Sequence, residues 1–70
     1  MDTTKKLEDT DPCPVQGKNH GRRMEKVSDR DLVWMYEQPW LKRKYPQVHD
    51  YIVRMASAIP DLILREEDRP

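Results

Sequence analysis

The sequence predicts a small α+β domain, a β-hairpin packed against two α-helices with disordered N- and C-terminal tails. Three observations predict it. Two glycines punctuate a polar turn between short segments at 12–15 and 22–27 that each carry inward-facing apolar residues. Two amphipathic stretches follow, each closed by a proline. Both ends are charged and nearly free of apolar side chains. The chain has 70 residues, which admits one domain at most. A core of that size rarely contributes more than ~3–5 kcal/mol.

Residues 1–11 offer only Leu7 for burial among several charges. That is too little to offset roughly 1–2 kcal/mol of backbone entropy per residue, so the segment reads as a disordered tail. Residues 65–70 fail the same test, which leaves a domain over 12–64. Pro12 and Pro14 bar a helix and favour an extended edge segment through Val15. Gly17 and Gly21, on either side of Asn19, suit a tight turn. Arg22 to Val27 then reads as a second strand with Met24 and Val27 inward.

Ser28 is a helix cap, with Asp31 at the third helical position and Asp29 at the positive end of the dipole. Leu32, Met35 and Tyr36 follow at helical spacing, and Val33 and Trp34 cover another side. Trp34 is assigned to the core with them. Pro39 ends this helix. Trp40 to Tyr45 reads as a linker, and Pro46 suits the first turn of a second helix. Val48, Tyr51, Ile52, Met55 and Ile59 form its apolar stripe, with His49, Asp50 and Arg54 on the wet side, until Pro60. Leu62, Ile63 and Leu64 form either a third short element or a docking segment.

Several function classes drop out. One cysteine excludes an internal disulfide framework and fits a reducing, cytoplasmic setting. No apolar run approaches the ~20 residues of a membrane span, and the first residues lack a signal-peptide core. Cys13, His20 and His49 lack the spacing of a zinc site, so neither a metal nor a cofactor is expected. A Cys13–His20 nucleophile pair has little room here for an orienting group or a dry pocket. The Gly17–Gly21 loop lacks the Walker spacing. The chain is expected not to be an enzyme and to take no small-molecule substrate.

Binding remains. The formal charge is zero, yet residues 17–30 are basic and both ends are acidic. Lys18, His20, Arg22 and Arg23 would project from the turn as a cationic tip, unless the hairpin is merely solvated. Either a phosphate backbone or an acidic protein surface suits such a tip. Trp40 beside Lys42, Arg43 and Lys44 is a second candidate, because an aromatic next to cations stacks on bases or anchors interfaces. Its structural alternative is packing under the linker.

Pro14, Gly17-Lys18, Gly21, Met24, Val27, Ser28-Asp29, Leu32 and Trp34 together form a string. It resembles the small domain at the C-terminus of exodeoxyribonuclease X-type exonucleases, also found in short stand-alone bacterial and phage proteins. Trp40-Leu41 and the Tyr45-Pro46-x-Val48 helix start are similar too, so the likeness spans residues 12–59. The sequence departs from that pattern at Val15-Gln16, where one aromatic is usual, and at Ser28, where proline is usual. The resemblance implies a hairpin followed by helices, and no nuclease activity, since the catalytic carboxylates of those enzymes lie in another domain. In size and in its charged ends the chain also resembles small phage-encoded regulators that bind the large subunits of host RNA polymerase. The expected function is therefore transcription regulation by polymerase binding, through inhibition of initiation or antitermination. The alternative is a nucleic-acid-binding accessory module.

Overall fold

Helix formation begins where the cap signal lies. In the computed structural model, which describes residues 6–69, Ser28 Oγ accepts a 3.2 Å hydrogen bond from the Asp31 amide. Helix α1 then runs Asp29–Tyr36. Pro46 occupies the first turn of a later helix, Pro46–Arg54, where its missing N–H costs nothing. Between them, the expected linker winds into a single helical turn, Leu41–Lys44. These three are α1, α2 (Leu41–Lys44) and α3 (Pro46–Arg54). Helix α3 stops before the stripe does, and a 3₁₀ turn at Ala56–Ala58 carries the chain on to buried Ile59.

The core is shared by the helices and the coil that precedes them. Leu32, Met35 and Tyr36 of α1, Leu41 of α2, and Val48, Tyr51 and Ile52 of α3 meet Cys13, Val15, Met24 and Val27. His49, expected on the wet side, is buried as well. Its ring stacks on Tyr36 at 5.5 Å between centroids.

Among the described residues there is no β-strand, so the expected α+β hairpin is replaced by a helical fold with an ordered coil. The two segments do approach each other. Cys13 N–H donates to Arg22 O at 2.8 Å and Gly21 N–H to Cys13 O at 2.9 Å. Pro12 and Arg23 form one isolated antiparallel bridge. The ladder does not grow because the donors that would extend it are used locally: Asp11 N–H goes to Glu8 O and Arg22 N–H to Asn19 O. Beyond the bridge, Met24–Lys26 tightens into a 3₁₀ turn that buries Met24. The turn glycines do adopt left-handed backbone, with φ of 127° at Gly17 and 82° at Gly21, a region that side chains disfavour.

The segments assigned to tails are tied down where they are described. Leu7 is buried and its carbonyl accepts from Arg54 Nη2 at 2.6 Å. Tyr51 OH donates to Asp9 Oδ1 at 2.6 Å. At the other end Tyr36 OH donates to Asp68 Oδ2 at 2.5 Å and accepts from the Arg65 amide at 2.8 Å. Each end is held by a tyrosine hydroxyl on a carboxylate, a charge-assisted bond that apolar content does not reveal. The expectation for residues 1–5 and for Pro70 lies outside the described residues. Leu62 and Leu64 pack against the core, while Ile63 points outward.

Candidate binding face

The basic loop is placed by an aspartate on α1. Asn19 Nδ2 donates to Asp31 Oδ2 at 3.1 Å, and Lys18 Nζ lies 3.4 Å from the same oxygen. Asp31 is thereby held below the usual carboxylate range, first by the Asn19 bond and then by the Lys18 charge. Asn19 is buried, yet its Oδ1 has no hydrogen-bond partner.

Trp34 stands one turn along α1 and is 55% exposed. Its position follows from helix geometry. Two residues after buried Leu32, it is rotated about 200° away from it, whereas Met35 and Tyr36 return to the core side. The assignment of Trp34 to the core is thus overturned, and the 32/35/36 spacing already carried that signal. Trp34 meets Trp40 edge-on at 6.3 Å, and Trp40 meets Tyr45 edge-on at 6.1 Å. Lys44 Nζ lies 5.8 Å from the Tyr45 ring centroid. The outcome is an edge-to-face row of three aromatics with Lys18 near one end and Lys44 at the other.

The structure joins some candidate residues and separates others. Lys18, Trp40 and Lys44 belong to this row through Trp34 and Tyr45. Trp40 is half-buried and packs on the core as well. Lys42 is drawn instead to the C-terminal segment, 3.7 Å from both Glu67 and Asp68. Arg23 makes a loose 3.9 Å contact with Glu25. His20, Arg22 and Arg43 are exposed, with no side-chain partner among the described residues.

The rest of the chemistry is quiet. Burial pushes the Cys13 thiol up, away from the thiolate that a nucleophile needs. Among the described residues no group of three His, Cys, Asp or Glu side chains is placed to hold a metal ion. Nor is any helix among them long and apolar enough to cross a membrane. The face offers flat rings for stacking, cations for phosphate or carboxylate, and one underused acceptor pair. No protein-family model, curated protein or solved structure matches the chain.

Proposed function

We propose that the chain is a non-catalytic binding protein of the bacterial cytoplasm that grips single-stranded nucleic acid with the Trp34 row and the cations around it. The observation that carries this reading is the exposed indole. A tryptophan left 55% exposed has in the Trp40 edge its one ring contact among the described residues, whereas a base stacked on it contributes ~1–3 kcal/mol. Lys18, Arg22, Arg23, Arg43 and Lys44 supply the phosphate contacts. This use of the surface fits an accessory module such as the exonuclease-associated domain that the sequence resembles.

A second reading has its own support. Glu25, Asp29, Asp31 and Glu37 are interspersed with these cations, and a mixed-charge face with a central tryptophan suits a protein interface. The likeness to phage regulators then makes host RNA polymerase the partner, with transcription inhibited at initiation or carried past terminators.

One titration separates the two. Tryptophan fluorescence is followed as a single-stranded oligonucleotide is added at several salt concentrations. The nucleic-acid reading expects quenching and an affinity that falls steeply with salt. It also expects a flatter salt slope for Arg22→Glu with Arg23→Glu. No binding at low salt, together with recovery of polymerase subunits on the immobilised protein from a bacterial lysate, would overturn it in favour of the second.

A further inference from the structure

We propose that the cavity between the basic loop and α1 is a base pocket that selects guanine. This rests on the nucleic-acid reading above and names the base it prefers. The cavity has a volume of about 320 Å³ and is lined by Val15, Lys18, Asn19, Asp31, Trp34 and Met35, among others. That volume lies at the lower end of the ~300–1,000 Å³ range of small-ligand sites. Val15 and Met35 are apolar and buried, Trp34 is the exposed aromatic wall, and Asn19 and Asp31 carry the polar atoms.

The hydrogen-bonding inventory decides the ligand. Asn19 is 92% buried by its 8% exposure, and its Nδ2 is used on Asp31. Its Oδ1 is an acceptor with no donor, a costly state for a buried polar atom. On Asp31, Oδ2 takes the Asn19 bond and Oδ1 the Lys18 ammonium at 3.5 Å, with the Ser28 hydroxyl a further, weaker partner of the carboxylate. Lys18 is largely exposed and its side chain is free to swing aside. Asn19 Oδ1 has almost no exposed surface, so the acceptor a ligand can reach is the Asp31 carboxylate once Lys18 moves.

A ligand that fits brings two adjacent N–H donors on a flat ring, and an anionic group for Lys18. Guanine meets this with N1–H and the N2 amine, which a carboxylate accepts side by side. Adenine and cytosine present a single amine beside a ring acceptor, which would face an Asp31 oxygen. An arginine side chain also brings paired donors, but Lys18 in the cavity lining opposes a second cation.

The test compares three oligonucleotides of equal length: oligothymidylate, the same strand with one central deoxyguanosine, and the same strand with deoxyinosine there. Tryptophan fluorescence, from Trp34 and Trp40, reports binding to the full chain. The expected result is about tenfold or tighter binding of the guanine strand, the range that one bidentate base contact supplies. Inosine, which keeps N1–H and lacks the amine, falls between. Asp31→Asn erases the preference for the guanine strand over oligothymidylate, with its thermal melt checked alongside. Equal affinity for all three strands overturns the pocket and leaves the stacking reading standing. No binding of any strand overturns that reading instead. Stronger saturation by arginine amide than by guanosine monophosphate also overturns the pocket, assigning it to a cation.

Discussion

Asp68 and Asp31 are both carboxylates held below the ordinary range, and they are used in opposite ways. Asp68 is 6% exposed and lies within the fold. Its Oδ2 takes the Tyr36 hydroxyl and faces His49 at 3.2 Å, while Oδ1 faces Lys42. Burial pushes its carboxyl up, and the Tyr36 bond, with His49 and Lys42, outweighs that. Asp31 is 19% exposed at the edge of a cavity, with one good bond from Asn19 and a loose cation. A carboxylate closed in by several partners holds structure together. One whose charged partner is a largely exposed lysine is available for binding.

This contrast is broken or sharpened by four changes. The largest effect is expected for Asp68→Ala, which strips Tyr36, His49 and Lys42 of a shared partner. Losing charge-assisted bonds of this kind costs about 2–3 kcal/mol, a large fraction of what so small a core holds. Urea denaturation checks it; a loss under about 0.5 kcal/mol, the scale of an ordinary surface change, would mean that the C-terminal segment is no clasp. The same carboxylates set the acid limb. Their native pKa lies below the unfolded value, so their contribution is present above about pH 4 and is lost as the pH falls through the lowered native values. In Asp68→Ala the acid transition flattens.

Trp34→Ala comes next and should move binding rather than folding. Affinity for a single strand falls by about 1–3 kcal/mol, the value of one stacked base. The urea midpoint shifts less than for Asp68→Ala, because only the Trp40 edge contact is lost. Equal losses in both assays would place Trp34 among the structural residues. Ser28→Ala removes the α1 cap bond and costs about 1 kcal/mol. It also loosens the turn that carries Asp31, so guanine preference weakens with it. Smallest is Lys18→Ala, whose exposed pair with Asp31 is worth about 0–1 kcal/mol. A melt near wild type with weaker oligonucleotide binding is the expected outcome.

Local signals were legible because their physics is local. Ser28 needs only its own hydroxyl and the amide three residues on. Pro46 needs only its fixed φ, and the 48/51/52/55/59 stripe only helical spacing. The glycine turn was legible for the same reason. The hairpin was read from that turn and from composition, but strand pairing depends on a continuous supply of donors, and the Asp11 and Arg22 amides are taken up by local turns instead. Trp34 was legible in principle from its angle to Leu32; its size argued for burial and its position argued otherwise.

The ends followed a different rule. Tyr51 reaches Asp9 across 42 positions and Tyr36 reaches Asp68 across 32, and nothing in either segment announces the other. Burial pushes both hydroxyls up, keeping them protonated donors over a wide pH range. The candidate residues divided likewise. Lys42 was indistinguishable from Lys44 in sequence, yet one is engaged with Glu67 and Asp68 and the other lies over Tyr45.

By itself, the order of amino acids determined where the helices at 29–36 and 46–54 start, that Leu32, Met35, Val48, Tyr51 and Ile52 turn inward, and where the backbone must bend left-handed. Those outcomes depend on contacts within a turn or two, which spacing encodes. Only the tertiary structure decided that the coil forms no sheet, that the described acidic ends are fastened, and that Lys18, Asn19, Asp31 and Trp34 surround one cavity. These depend on which distant groups meet once the chain is compact, a choice made by competition among many partners.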